Sequence, residues 1–213
     1  MGLSSKRTRG YQEREKRKGR QREKVPCIFL IVEGESERIY FRKFTKRNCR
    51  VEVFVGDNGN PEKLVKKAED LLTSGRIDLD EKDELWCVFD RDDNSQECIN
   101  RAKDRAGKNG FRIVFSNPCW EIWLLWHFEE SFSYRESSQN LKQELKQNHI
   151  KNYHETGDYF DLLKPHMEDA ISRAKKAKQR HLTAGKGELT LEFNPSSSVF
   201  ELLDEIKRLQ GYS

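Results

Sequence analysis

The sequence lacks any apolar run near the roughly 20 residues that a membrane-spanning helix needs, and its N-terminus lacks the hydrophobic segment of a signal peptide. Its five cysteines form no C-x-x-C pair, and Cys27, Cys87 and Cys119 lie within apolar runs. This pattern favours reduced thiols packed in a core over a disulfide or zinc framework. We therefore expect a cytoplasmic protein with no membrane partner.

A large excess of one charge is also missing. The 213 residues include 40 basic and 36 acidic side chains, for a formal net charge of +4, so the overall balance does not identify a polyanionic partner. The basic residues are unevenly distributed, because the segment 6–24 is mostly Lys and Arg and has no aliphatic residue. We expect residues 1–24 to form a disordered basic arm. The arm either binds nucleic-acid phosphates, through Lys16, Arg17, Lys18 and Arg20, or serves as a solubilising tail.

The middle of the chain alternates short apolar runs with helical patterns. Ser36, Pro61 and Ser95 are placed to open three helices, the third reaching about Lys108. Alternation of this kind predicts a Rossmann-like α/β fold with a parallel sheet. The pattern 51–55 alternates only in part, which favours an edge strand. Four runs are predicted as strands: 27–32, 51–55, 85–89 and 111–115.

The segment after the fourth run is apolar almost all round. Pro118 is predicted to start a helix that runs through Phe128. This helix contains three tryptophans, Trp120, Trp123 and Trp126. Core packing is favoured over a partner interface. Beyond residue 130 the pattern becomes polar and helical, so the predicted organisation is an α/β core over 25–130 and a helical extension over 131–213 that packs back on it.

Acidic side chains follow the first and third predicted strands. Glu33 comes directly after the first strand, and Asp90 and Asp92 come directly after the third. The carboxyl ends of neighbouring parallel strands meet at one edge, where open α/β sheets bind ligands. Carboxylate oxygens suit Mg²⁺ or Mn²⁺. We therefore predict a divalent-metal site at this edge, with Glu33 as ligand or general base; the plain alternative is acids that only cap helices.

Two further residues are weighed as ligands. Glu121 is the single acid inside the apolar helix. Because a buried unpaired carboxylate is costly, this residue is expected to bind a metal, to pair with a basic side chain or to be exposed at the first turn. Asn94 lies two positions after Asp92, in the segment that follows the third predicted strand. Both are candidate ligands beside Glu33, Asp90 and Asp92.

Four blocks along the chain resemble the RloB family. They are VEGESE at 32–37 followed by Tyr40 and Phe41, FDRD at 89–92, SNPCWEIWLLWHF at 116–128 and NPSS at 194–197. The resemblance implies a Toprim core, the metal-dependent phosphodiester fold of topoisomerases, primases and OLD-type nucleases. It implies Glu33 as the catalytic glutamate and Asp90 and Asp92 as the metal-binding pair. The third acidic position of that fold's D-x-D-x-D pattern is Asn94 here, and a neutral side chain at that position favours one metal over two. The resemblance also implies prokaryotic anti-phage defence, in some cases beside a partner ATPase.

A second basic cluster lies late in the chain, and it could bind a nucleic-acid backbone or form a solvated helix face. Its members are Lys175, Lys176, Lys178, Arg180 and Lys186. The leading prediction is a Mg²⁺- or Mn²⁺-dependent nuclease acting on DNA or RNA. The alternatives are a non-catalytic nucleic-acid-binding or sensor subunit that works with an ATPase, and a Rossmann-like domain without a metal. The sequence leaves the nucleic acid and the oligomeric state open.

Overall fold

A computed structural model describes residues 24–56 and 60–212. The positions Lys16, Arg17, Lys18 and Arg20 of the predicted basic arm lie outside these residues. Within the described ranges, no helix combines the length and the apolar character required to cross a membrane. All five cysteines are buried and unpaired, as expected for core thiols.

A mostly parallel sheet organises the fold. Its strands are β1 (Cys27–Val32), β2 (Arg50–Val55), β3 (Glu84–Asp90), β4 (Arg112–Asn117) and β5 (Ser196–Ser197), in the spatial order β2-β1-β3-β4-β5. The first four are mutually parallel, which confirms the predicted α/β fold and its Rossmann-like sheet, with β2 at the edge. The antiparallel β5 was not predicted, because two serines carry no strand periodicity.

Eight α-helices are found in the described residues. They are α1 (Glu35–Phe41), α2 (Pro61–Thr73), α3 (Gln96–Lys108), α4 (Glu121–Leu125), α5 (Ser138–Glu144), α6 (Phe160–Leu163), α7 (Met167–Thr183) and α8 (Val199–Leu209). Short 3-10 turns occupy Arg42–Phe44 and Lys164–His166, and a π-helical turn, Leu145–His149, continues α5.

The predicted helix starts are only partly correct. The side chains of Asn60 and Ser95 accept hydrogen bonds from backbone N–H groups of α2 and α3, so those helices begin as expected. Ser36 is not a cap, because Gly34 holds that position before α1. Pro118 does not start a helix either; α4 begins at Glu121, since residues 118–120 first cross the end of β3.

Hydrophobic residues cover both faces of the sheet. On one face β-strand residues pack against α2 and α3. On the other they pack in one cluster with α1, α4 and the C-terminal helices. Trp120, Trp123 and Trp126 are at most 3% exposed, which confirms that the tryptophan-rich segment is core. The domain boundary near residue 130 stays a prediction.

Candidate metal centre

Three carboxylates meet where β1 and β3 end. The strands are parallel neighbours in the register Val32 to Val88, so Glu33 and Asp90 leave the sheet side by side. The backbone N–H of Asp90 donates to Oε2 of Glu33 at 3.1 Å. One ligand oxygen from each of Glu33, Asp90 and Asp92 lies within 4.8 Å of the others. The predicted metal-ligand group is therefore assembled, although a cluster of acids alone does not identify an ion.

The turn after β3 places Asp92. The Arg91 N–H donates to the carbonyl of Ser116 and the Asp92 N–H to that of Pro118, both at 2.8 Å. Asp92 has a φ of +39°, in the left-handed region that costs a non-glycine residue about 1 kcal/mol or more. These two hydrogen bonds to the segment 116–118 hold Asp92 in that conformation. The turn thus returns the Asp92 carboxylate towards Asp90.

Two oxygens of the cluster are buried without a partner. Asp90 is 6% exposed, and its Oδ2 accepts a hydrogen bond from the Trp120 N–H at 2.7 Å. Its Oδ1 and the Oε1 of Glu33 are buried and have no hydrogen-bond partner among the described residues. Leaving buried acceptors unpaired is costly, and a divalent cation bound by both oxygens would remove that cost. The donor set, all carboxylate oxygen, fits Mg²⁺ or Mn²⁺.

Glu37 is a fourth acid beside the cluster, outside the group whose ligand atoms lie within 4.8 Å, and its charge acts on Glu33 and Asp90. It lies in the first turn of α1, where the helix dipole favours an acid, yet its side chain is only 4% exposed. A Cβ added at Gly34 would lie 3.1 Å from Oε2 of Glu37, so the glycine leaves room for the buried carboxylate. The available signal was spacing: Glu37 precedes Tyr40 and Phe41 by three and four positions, and therefore shares their buried face.

Glu33, Glu37 and Asp90 favour their protonated forms when no cation is bound. Burial raises the pKa of Glu33 to about 8, and the charges of Glu37 and Asp92 add to the effect. Burial and the neighbouring charges of Glu121 and Asp92 raise the pKa of Glu37 to about 7. Burial, followed by the charges of Glu37 and Glu33, raises the pKa of Asp90 well above its usual range. A bound cation would reverse this trend by stabilising the charged forms.

Glu121 is buried beside the cluster but has partners of its own. Its side chain is 4% exposed, the Tyr153 hydroxyl donates to Oε1 at 2.8 Å, and the Lys142 Nζ lies 3.8 Å from the same oxygen. It does not belong to the group whose ligand atoms lie within 4.8 Å. Its charge contributes to the raised pKa of Asp90. Metal ligation by Glu121 or by Asn94, which lies in the turn after β3, stays a prediction.

The second basic cluster lies on α7 and just after it, and most of its members have partners. Lys175 pairs with Asp204 and Lys176 with Glu130, each at 2.8 Å. The remaining contacts are those of Lys178 with Glu188 and Glu201, at 2.8 and 2.7 Å, and of Arg180 over the Phe132 ring at 5.0 Å. Nucleic-acid binding by these residues and Lys186 stays a prediction, and the paired lysines would have to exchange carboxylates for phosphates.

We expect the stability of the metal-free protein to fall as pH rises. The pKa values of Glu33 and Glu37 are raised on folding, so their contribution is fully present below the unfolded value near 4.5 and is lost as pH passes about 7 to 8. At about 1.4 kcal/mol for each pKa unit, this loss of stability amounts to several kcal/mol, and Mg²⁺ should remove most of it. Urea unfolding at several pH values, in EDTA and in Mg²⁺, measures how the free energy of unfolding depends on pH in the two conditions. Parallel pH curves in the two conditions would contradict the prediction.

Comparisons with known proteins address the family. The family model described as "RloB-like protein" matches residues 28–206, which span β1 to α8 and include every residue of the carboxylate cluster. No curated protein and no solved structure was found to match the chain. Because the family match covers far more than half of the sequence, the chain belongs to the RloB-like family.

Proposed function

We propose that this protein is a Mg²⁺- or Mn²⁺-dependent nuclease. The observation that carries the proposal is the convergence of Glu33, Asp90 and Asp92 at the carboxyl edge of a parallel sheet, with two buried oxygens that no described residue satisfies. Such an edge is where open α/β sheets bind ligands. The Toprim character expected from the resemblance to RloB proteins, and a role in anti-phage defence, belong to the same proposal.

Glu33, Asp90 and Asp92 would hold the cation. When bound, it would polarise a phosphoryl oxygen and lower the pKa of an attacking water. The chain restrains the carboxylates: the Asp90 N–H holds Oε2 of Glu33, and the Trp120 N–H holds Oδ2 of Asp90. Fixed ligands of this kind need little reorganisation during the reaction.

Glu33 is also suited to accept a proton from water. Its Oε1 accepts no hydrogen bond from the described residues, and its pKa of about 8 in the metal-free cluster is close to the working range of a general base. The two roles compete, because an oxygen that binds a cation is a poorer base. Glu37 and Glu121 bear on this choice through their charges, which raise the pKa values of the ligands they face.

The test is cleavage of mixed DNA and RNA substrates with Mg²⁺ or Mn²⁺. We expect wild type to cut, and the Asp90→Ala, Asp92→Ala double variant to lose at least about 100-fold in rate, because an ion worth several kcal/mol of charge stabilisation is lost. Asp104→Ala is the matched control, since Asp104 is an exposed acid on α3. Calorimetry with Mn²⁺ should detect binding by wild type and the control alone.

Two results would contradict the proposal. Equal cleavage by wild type and the double variant would show that the carboxylates are not the active site. Binding of nucleic acid without turnover, by a protein that forms a complex with an ATPase, would favour the sensor-subunit alternative. The buried tryptophans of residues 120–126 offer no surface for such a complex, so the partner would have to bind elsewhere.

A further inference from the structure

We infer that Arg91 and the cavity it lines bind a phosphate of the substrate strand next to the one that is cut. This inference rests on the proposed nuclease function and adds a substrate-positioning site to it. The cavity has a volume of about 450 Å³ and is lined by Arg91, Asp92, Asp93, Glu136, Ser137 and Ser138. Asp92 belongs both to its wall and to the carboxylate cluster, so the cavity adjoins the candidate metal centre.

The guanidinium of Arg91 is half-buried and unpaired. Its Nε is buried and has no hydrogen-bond partner among the described residues, so an incoming anion would reach the guanidinium through its terminal Nη groups. No side-chain hydrogen bond or ion pair of Arg91 is found within residues 24–56 and 60–212, although acids flank it on both sides in sequence. A guanidinium carries five N–H donors in a fixed planar fork, which matches the oxygens of a phosphate bidentately. An arginine left in this state is poised for an anion that comes from outside the chain.

The fold fixes Arg91 from both sides. Its N–H donates to the Ser116 carbonyl, and its own carbonyl accepts from the Asn94 N–H, both at 2.8 Å. The opposite wall is tied to the metal centre, because the Ser138 hydroxyl donates to Oδ1 of Asp92 at 3.0 Å. A phosphate held by Arg91 would therefore have a defined position relative to Asp92, as a substrate-positioning contact requires.

Acids in the wall narrow the choice of ligand. Asp92, Asp93 and Glu136 give the cavity a negative surround, so a small free anion gains little there. A nucleic-acid strand differs, since one of its phosphates would be held at the metal and the next would reach Arg91 without a second binding event. The expected ligand is thus a backbone phosphate within a strand, and inorganic phosphate should bind poorly.

The experiment measures binding and cleavage of a fluorescent single-stranded oligonucleotide by wild type, Arg91→Ala, Arg91→Lys and Arg47→Ala. Arg47 is an exposed arginine just before β2, at the opposite end of the sheet. Loss of a charge-assisted bond should raise KM about 10- to 100-fold for Arg91→Ala, less for Arg91→Lys, and leave Arg47→Ala unchanged. Binding in Ca²⁺ should show a salt slope smaller by about 1 for Arg91→Ala.

Control measurements separate the two proposals. Mn²⁺ binding and the melting temperature of Arg91→Ala should match those of wild type, so that the defect lies in the substrate contact. If wild type cleaves and Arg91→Ala keeps its KM and salt slope, the inference is overturned while the nuclease function stands. Loss of Mn²⁺ binding in Arg91→Ala, or phosphate at millimolar concentration competing as well as the oligonucleotide, would also overturn it. If wild type does not cleave, the nuclease function fails, and the salt slope in Ca²⁺ still decides the role of Arg91.

Discussion

The Asp90→Asn variant should be more stable than wild type in EDTA and inactive as a nuclease. Asp90 is buried, and burial together with the charges of Glu37 and Glu33 raises its pKa well above the usual range. Asparagine keeps an acceptor for the Trp120 N–H, removes the charge, and provides N–H donors for the neighbouring carboxylates. We expect a gain of about 1–3 kcal/mol near pH 8, or several degrees in melting temperature, with the gain shrinking as pH falls.

The same substitution should abolish stabilisation by Mg²⁺ and nuclease activity, although it stabilises the metal-free protein. Mg²⁺ should raise the melting temperature of wild type and leave Asp90→Asn unchanged, and cleavage by the variant should fall at least about 100-fold. Asp104→Asn, an exposed acid on α3, should match wild type in all three measurements. The prediction fails if the variant is less stable than wild type in EDTA near pH 8. That result would show that groups of the protein itself offset the repulsion between the carboxylates, without a cation.

The Asn194→Ala variant should lose about 2–4 kcal/mol of unfolding free energy, because it leaves several buried groups unpaired. Asn194 is 3% exposed and joins the C-terminal segment to the end of β4. Its Nδ2 donates to Oδ1 of Asn117 and to the Arg135 carbonyl, and its Oδ1 accepts from the Arg135 N–H, at 3.1, 2.9 and 2.9 Å. Asn117, 0% exposed, donates in turn to the carbonyls of Thr190 and Leu191.

Urea unfolding measures this loss, which corresponds to a fall of roughly 5–15 °C in melting temperature. Because Asn117 and Asn194 share one network, the effects of Asn117→Ala and Asn194→Ala should add to clearly more than the effect of the double variant. Asn100→Ala is the control, since Asn100 is exposed on α3 and should change stability by less than about 0.5 kcal/mol. Additive single effects would mean that the pair is not a cooperative network.

The asparagine network also gives the family blocks at 116–128 and 194–197 a structural meaning. Ser116 pairs with Ser197 and Asn117 with Ser196 in the short antiparallel ladder, and the two serine hydroxyls of the first pair lie 3.2 Å apart. These contacts join Ser116 and Asn117 to residues 81 and 79 positions later in the sequence. The Ser116 carbonyl on the same strand accepts the hydrogen bond from the Arg91 N–H. Neither block alone predicts that it pairs with the other.

The sequence by itself determined the four parallel strands and the three acids at the ends of two of them. Continuous apolar runs identify β1 and β3 as buried strands, and residues that directly follow such strands must leave the sheet at its carboxyl edge. The sequence therefore predicts one shared site for Glu33, Asp90 and Asp92 if β1 and β3 are parallel neighbours, as they are in the structure. Strand periodicity and strand ends are local properties, so a local pattern is enough to predict them.

Only the tertiary structure decided which other groups join the site. Glu37 is buried because α1 turns that face onto the sheet, and Glu121 is satisfied by Tyr153, which lies 32 residues further along the chain. Asp92 and Asp93 are both exposed, yet of the two only Asp92 belongs to the carboxylate group found among the described residues. Burial, hydrogen-bond partners and charge neighbours depend on distances between segments far apart in sequence. A local pattern does not contain those distances, so the chemistry of the site emerged only when the chain was folded.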